Sequence, residues 1–465
     1  MATIGATAPV LDARQVAARL ERLPFTSWHN KMRVIIGTAW FFDAFDSLTI
    51  AFVLPPLIGM WHLQPGQIGS LIGIGFIGQI IGSIGAGWLA EKIGRVKTLM
   101  ITLLIFTVMA FACAQATDYE TMWWFRLIQG IGLGGEVPIM AAYVGEYAKA
   151  ERRGRFSLGI QFMFTVGLVG VGAVSLYVVR AWGWQSMFYI GAIPALLVLP
   201  MRTWLPESPR WLAARGRFAE ADESLGRIER IAVAEGKPLP ALPQDLPPVD
   251  ERPVRIGDLF KGIYLKRTMV LWVVWVCTYI ITYGLTAWAP SLFRFVYKLP
   301  DQQAITYGFI LQSFAFLGAL SAIFLIDRLG RKYFFGSFLL IASLPLFVFA
   351  LDPAVVRDPE TVLKLICLSF VFVSVLSLGM ATYTAENYPN HIRGLGSGVA
   401  AAWQRVASWV GPFMVGWMLD PKGMAWGLGA VFVTFAVVAV IGGLTMLLFA
   451  NETKGQVLEK LSPPT

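Results

Sequence analysis

The sequence predicts an all-α membrane protein, with twelve transmembrane helices in two pseudo-symmetric six-helix bundles. Three observations carry this reading. Hydrophobic residues make up 56% of the 465 positions and charged residues only 14%, against roughly a quarter charged in soluble domains. The mean hydropathy is +0.62, and the apolar residues gather in runs of about 20, the length of helix that crosses a bilayer. Those runs form two sets of six on either side of a polar stretch at 206–267.

A polar segment at 1–33 precedes spans at 34–57, 68–90, 98–116, 121–145, 157–178 and 185–205, which make a first bundle over 34–205. Within 1–33, LDARQVAARLERL reads as a short solvated surface helix. The first 30 residues lack an apolar core and a small-residue cleavage site, so no cleaved signal peptide is expected. The linker at 206–267 reads as short amphipathic helices, placed to brace the bundles. A proline-rich piece follows, KPLPALPQDLPPVDERP, suited to an extended tether. Spans at 268–293, 304–326, 333–351, 362–385, 397–418 and 428–449 make a second bundle over 268–450, and 451–465 is a polar tail.

Charge distribution sets the expected orientation. With the N-terminus in the cytoplasm, 30 of the 38 Lys and Arg residues fall in cytoplasmic segments. Six fall on the opposite side (Arg180, Arg294, Lys298, Arg357, Lys364, Lys422), and Arg126 and Arg405 lie inside spans. Both termini are therefore expected in the cytoplasm. A net charge of +9 suggests nucleic acid in a soluble chain. Here it anchors the inner membrane face, and no nucleic-acid partner is expected. Cys113, Cys277 and Cys367 all lie in spans, so neither a disulfide nor a metal site is expected.

The halves repeat one another. GWLAEKIGRVK (87–97) follows span 2 and IFLIDRLGRKY (323–333) follows span 8. Both run acid, base, apolar, Gly, Arg: Glu91, Lys92, Ile93, Gly94 and Arg95, then Asp327, Arg328, Leu329, Gly330 and Arg331. The glycine permits a tight turn, the acid can act on a neighbouring helix N-terminus, and the bases anchor at the membrane face. At the next inner loops, GEYAKAERRGRFS holds Glu146 and Arg155, and AENYPNHIRGLGS holds Glu386 and Arg393.

These loops, with Gly87 opening the first, resemble the inner-loop signature of the major facilitator superfamily, and the resemblance covers nearly the whole chain. PESPRWL (206–212) resembles the branch of sugar porters, organic ion transporters and synaptic vesicle glycoprotein 2. RLIQGIGLGGEVP (126–138) and FFDAFDSLTIAFVLP (41–55) look most like the bacterial niacin-transporter group within it. The resemblance implies two bundles rocking about a central cavity, opened to one side and then the other. It implies a transporter and not an enzyme. No G-x-x-x-x-G-K-[ST] loop occurs, so ATP coupling is unsupported and no cofactor is expected.

Ionisable residues at membrane depth cost a few kcal/mol and carry functional hypotheses. Asp43 and Asp46, three apart in span 1, share a helical face. Burial disfavours an ionised carboxylate while a nearby cation favours it, and the balance can set a proton switch. By the resemblance, Asp46 matches the first-span aspartate of proton-coupled sugar porters, which acts through an arginine on span 4, here Arg126. A static Asp46–Arg126 pair is the alternative, and by the span edges that pairing needs a long reach. Glu136, on span 4 at a depth near that of Asp43, is a second coupling candidate; a helix-packing role stands beside it, since the glycines around it permit close approach.

Arg405 is a permanent charge in an apolar run, AAWQRVASWVGPFMVGW, about 12 Å from the inner end of span 11. No acid sits within a turn on its own helix, and a planar guanidinium suits bidentate capture of a carboxylate. Span 11 here resembles that of organic anion transporters. A salt bridge to the other bundle is the alternative. Trp40, Trp275, Tyr279, Tyr283, Tyr383 and Gln404 join Arg405 as candidate substrate contacts. Trp275, Tyr279 and Tyr283 form one stripe at four-residue spacing, facing either lipid or a site; if a site, they favour a flat ring over a sugar. Gln79, Gln129, Gln161, Gln312 and Gln404 keep sugar open. Trp288, at a span end, reads as an interface anchor.

The expected function is secondary import of a small organic anion, an aromatic carboxylate such as nicotinate or a hydroxybenzoate, coupled to protons. A proton-antiporting exporter is disfavoured because span 5 lacks a Gly-Pro motif. An organic-cation or sugar carrier, with Asp46 or Glu136 as the cation's partner, competes with this reading, and a transporter-like receptor competes more weakly. The expected setting is the lipid bilayer of a bacterial inner (plasma) membrane, as a multi-pass monomer.

Overall fold

The computed structural model describes residues 12–147, 153–242 and 255–454. The helices are α1 (Ala13–Arg22), α2 (Ser27–Trp61), α3 (Pro65–Ile93), α4 (Arg95–Ala114), α5 (Tyr119–Tyr147), α6 (Arg153–Trp182), α7 (Gln185–Gly191) and α8 (Val198–Trp204). They continue as α9 (Pro209–Ala214), α10 (Phe218–Ala234), α11 (Ile263–Thr286), α12 (Ala289–Val296), α13 (Asp301–Leu329), α14 (Arg331–Leu351), α15 (Pro359–Glu386), α16 (Asn390–Leu419) and α17 (Leu428–Phe449). Among the described residues there is no strand.

Ten of the expected spans are single helices, and all but α17, which matches 428–449, are longer than hydropathy alone marks. At 35 residues, α2 is about 52 Å long, well beyond a hydrocarbon core of about 30 Å. It therefore carries Trp28 to Arg33 out past the bilayer on the face that bears α1, α9 and α10, here called the linker face. The other two spans are broken. The sixth runs as α7, a 3-10 turn at Ile193–Leu197 and α8, because Pro194 has no N–H to continue the α ladder. The seventh breaks between α11 and α12, just before Pro290. Eleven helical stretches among the described residues, with the broken Gln185–Trp204 taken as one, are long and apolar enough to cross a membrane. The thirty-residue α16 is not one of them, because His391, Arg393, Gln404 and Arg405 lower its hydropathy. It nevertheless packs between α3 and α11. That position inside protein is what allows it to carry charge at depth.

Close helix approach organises the first bundle. A Cβ at Gly78 of α3 would stand 2.2 Å from the Leu127 carbonyl of α5, and one at Gly130 of α5 would stand 2.2 Å from the Gly75 carbonyl. The backbones touch there, as small residues allow in lipid, where packing replaces hydrophobic drive.

The bundles meet at the face opposite the linker. The N-terminal end of α3 crosses the C-terminal end of α16 at Gly69 and Gly416; a Cβ on Gly69 would lie 2.7 Å from the Pro412 carbonyl. The Gly66 N–H donates to Asp420 at 2.8 Å, and the Gln302 side chain donates to the Leu176 carbonyl at 2.8 Å. These contacts join the two bundles on this far face.

The linker helices pack on the first bundle. Trp211 donates to the Glu91 carbonyl (2.9 Å), Ser224 to the Glu207 carbonyl (2.9 Å), and Arg19 and Arg22 of α1 bond Glu229 of α10 at 2.6 and 2.7 Å. The expected bracing of both bundles is therefore not how α9 and α10 sit. The 3-10 turn at Ile256–Phe260 does rest on the second bundle, with Thr268 donating to the Leu259 carbonyl at 2.9 Å. Residues 243–254 of the proline-rich tether lie outside the described residues. Cys113, Cys277 and Cys367 are buried thiols without a disulfide.

Candidate functional site

Between the bundles lies a cavity of about 310 Å³. At about 30 Å³ per water molecule, that is room for a small organic molecule. Both halves contribute its walls: Trp40, Asp43, Phe76 and Gln79 from the first, Trp275, Tyr279, Tyr283, Gln312, Gln404 and Arg405 from the second.

The aromatic stripe of α11 faces this space and not lipid. Trp275 and Tyr279 stack with ring centroids 5.3 Å apart and planes at 8°, and Tyr279 and Tyr283 follow at 6.2 Å and 23°. Trp275 is fixed by its Nε1 bond to Thr384 Oγ1 at 2.9 Å. Tyr283 meets Phe76 of the other bundle edge-on at 4.8 Å. The three rings thus form a stacked aromatic stripe along one wall of the cavity.

Tyr383 is a correction. It is buried away from the cavity, its ring against Phe335 and its hydroxyl donating to the Asn451 carbonyl at 2.8 Å. One residue is about 100° of helical turn, and it is the neighbouring Thr384 that reaches the cavity. Trp288 is likewise no interface anchor. It is 1% exposed and donates to the Pro412 carbonyl at 2.8 Å, tying the α11–α12 break to α16.

Arg405 borders the cavity and donates from Nη1 to Gln79 Oε1, across the bundle boundary. It forms no ion pair with a carboxylate among the described residues, although its charge and that of Asp43 interact. Asp43, on the cavity wall, has no hydrogen-bond partner among the described residues.

Asp43 and Asp46 diverge despite their spacing. Asp46 is fully buried, held by Arg126 Nη1 at 3.3 Å and Gln129 Nε2 at 2.9 Å, while Arg126 also donates to Gln129 Oε1 at 2.8 Å. This closed triad sits inside the first bundle and not on the cavity wall. The long reach expected for Arg126 is not needed, because Gly75 and Gly191 leave the guanidinium and the carboxylate room to meet. Glu136 is different again. It is 1% exposed, both its carboxyl oxygens lack a partner among the described residues, and the charges nearest it are Asp43 and Asp46.

The inner-loop motifs form matched networks. Arg95 bonds Glu146 at 3.2 Å and Glu91 at 2.9 Å, and Arg331 bonds Glu386 at 3.3 Å. Lys92 lies over the Trp88 ring at 3.8 Å, and Arg393 donates to the Tyr388 carbonyl at 3.3 Å. Gly94 and Gly330 turn the chain at φ +106° and +85°, a conformation that favours glycine. Arg328 is exposed, and Gly87 faces open space. The side chains of Arg155, Gln161 and Asp327 lie outside the described residues.

At the start of α4 the capping acid is not the motif acid, because Glu91 pairs with Arg95. Glu207 accepts from the Arg95 N–H at 2.8 Å, and Glu452 accepts from the Arg331 and Lys332 N–H groups at 2.9 and 3.1 Å. Each carboxylate caps a helix dipole. The signal for them is a second repeat, Pro206–Glu207–Ser208 and Asn451–Glu452–Thr453, directly after the last span of each half.

A family model described as sugar (and other) transporter matches residues 61–463. The niacin transporter NiaP of Acinetobacter baylyi is 32% identical over 451 residues, 96% of this chain and 99% of the relative. The 4-hydroxybenzoate transporter PcaK of Pseudomonas putida is 26% identical over 439 residues, 93% and 95% of the two chains. The xylose transporter XylE from E. coli, in a partially occluded inward open conformation, matches with a TM-score of 0.69 at 20% identity, over 93% of this chain and 100% of that one. That last likeness is one of fold. The two-bundle architecture, the repeated inner loops and the match over most of its length agree: the chain belongs to the sugar (and other) transporter family of the major facilitator superfamily, multi-pass membrane transporters and not enzymes.

Proposed function

We propose that this transporter imports a small aromatic carboxylate, nicotinate or a hydroxybenzoate, by proton-coupled alternating access. One observation carries the reading: Arg405 stands at the cavity with no carboxylate among the described residues bonded to it, beside the stacked rings of Trp275, Tyr279 and Tyr283. A carboxylate completes the guanidinium fork, and a flat ring packs against the aromatic stripe. The relatives that carry niacin and 4-hydroxybenzoate support the same class.

Proton coupling rests on the acids. Asp43 lines the cavity, where it can exchange a proton with water. Glu136 is buried nearby with neither oxygen bonded among the described residues. An ionised carboxylate there is a buried charge without a partner, so the protonated acid is the form that fits. Asp46 and Arg126 read as a static pair whose charges compensate one another. Gly94, Arg95, Glu146, Gly330, Arg331 and Glu386 support a role in holding the linker face between states. The Lys and Arg distribution supports a cytoplasmic linker face; a bacterial inner membrane and a monomeric working unit belong to the same proposal.

Asp43 on the wall is the feature that favours a second reading, an organic cation, with Arg405 opposing it. Proteoliposome uptake of labelled nicotinate, 4-hydroxybenzoate, a quaternary ammonium and a hexose separates these readings, run with and without an inward proton gradient. Gradient-stimulated uptake of the acids alone supports the proposal; uptake of the cation or hexose alone rules it out.

A further inference from the structure

Gln79 stands at the boundary between the halves. Its backbone is locked to α5, since a Cβ on Gly134 would fall 2.1 Å from the Gln79 carbonyl. Its side chain is 7% exposed and borders the cavity, and its Oε1 accepts from Arg405 Nη1 of the second bundle. Its amide nitrogen has no hydrogen-bond partner among the described residues. The other polar bonds between bundles described above, Gly66–Asp420 and Gln302–Leu176, lie at the far face. The Gln79–Arg405 bond lies about 15 Å along α3 from the Gly69–Gly416 crossing.

A carboxamide oxygen is a neutral counterpart of one carboxylate oxygen. Guanidinium–carboxylate bonding is roughly twice as strong and two-pronged, so an incoming carboxylate displaces the amide. Nothing in the described surroundings of Gln79 holds its nitrogen back from the second oxygen of that guest.

We infer that Gln79 is a positioning and specificity residue for the cargo: it holds the Arg405 guanidinium before cargo binds, and then donates its amide N–H to the bound carboxylate, so that the cargo links α3 to α16. The link draws the bundles together about 15 Å along α3 from the far-face crossing, on the linker side of it. This rests on the reading of Arg405 as the carboxylate-binding group.

The test is binding of labelled nicotinate and 4-hydroxybenzoate to purified full-length protein in detergent, with melting temperature as a second readout. Gln79→Glu supplies a tethered carboxylate to Arg405 and should weaken binding of both acids at least tenfold. Gln79→Met keeps the length, removes the amide, and should weaken binding about three- to tenfold. Both variants should melt within a few degrees of wild type, whereas a merely structural role lowers melting and affinity together. If Gln79→Glu does not fold, Gln79→Met decides. Either variant binding as wild type does, while Arg405→Ala binds neither acid, overturns the role of Gln79 and leaves the reading of Arg405 intact. Wild-type affinity in Arg405→Ala, or no binding by wild type itself, overturns both.

Discussion

Asp46 and Arg126 meet at 3.3 Å inside the first bundle, behind the cavity wall and not on it. Gln129 bridges the two, so every charge in this triad has a partner. Removing one partner of such a pair leaves the other buried alone, a loss of about 3–5 kcal/mol. Asp46→Asn should therefore lower the melting temperature in detergent by several degrees, and Arg126→Gln in the same chain should restore part of it. Melting followed by tryptophan fluorescence checks this. An Asp46→Asn protein that melts as wild type but has lost gradient-driven uptake would return Asp46 to the coupling role.

Glu136 should behave in the opposite way. Its carboxyl oxygens have no bonds to lose among the described residues, so Glu136→Gln should leave folding and carboxylate affinity within about twofold of wild type. Uphill accumulation driven by a proton gradient should disappear while exchange of internal for external substrate persists. Comparing the two assays on one preparation checks this, and retained accumulation assigns the proton elsewhere.

The far-face contact depends on Gly69 and Gly416. A Cβ on Gly416 would stand 2.6 Å from the Pro65 carbonyl, and overpacking of this kind costs about 1–3 kcal/mol. Because the strain exists only when the far face is shut, Gly416→Val should shift the population toward far-face-open states by roughly ten- to a hundredfold. A cysteine placed beside Asp420 should then label faster from the far side. Unchanged labelling contradicts a seal at this crossing.

The α1–α10 clamp predicts a pH effect on the linker face. Burial acts to raise the Glu229 carboxyl, but the bonds and charges of Arg19 and Arg22 outweigh it and hold the group below its usual range. Its contribution is thus present above the unfolded carboxylate value of about 4.3 and is lost as pH falls through the lower folded value. Proteolysis of α1 should accelerate only below about pH 4, and Arg19→Ala should accelerate it at neutral pH. Equal rates for Arg19→Ala and wild type contradict the clamp.

Much of the fold is legible in the sequence because lipid imposes a simple rule. A helix must satisfy its own backbone and show apolar residues for about 20 positions. The breaks at Pro194 and Pro290 blur into such runs, since hydropathy does not register a missing N–H. Arg405 is legible as a charge in an apolar run, and Trp275, Tyr279 and Tyr283 as a stripe. Which way the stripe faces is a matter of packing against α16, and no local pattern encodes it. Tyr383 and Thr384 show the limit: one residue of rotation separates the cavity from the core. Glu207 and Glu452 cap helices 112 and 121 residues away, so only their repeat could reveal them. Gln79 reads as one glutamine among several until α16 is seen beside it.

The most direct test is calorimetric titration of nicotinate and of nicotinamide into wild type and Arg405→Lys. Lysine keeps the charge but loses the planar two-pronged geometry. The account predicts that wild type prefers the acid over the amide at least tenfold, and that Arg405→Lys loses most of that preference while melting as wild type does. Equal preference for the acid in both proteins would contradict it.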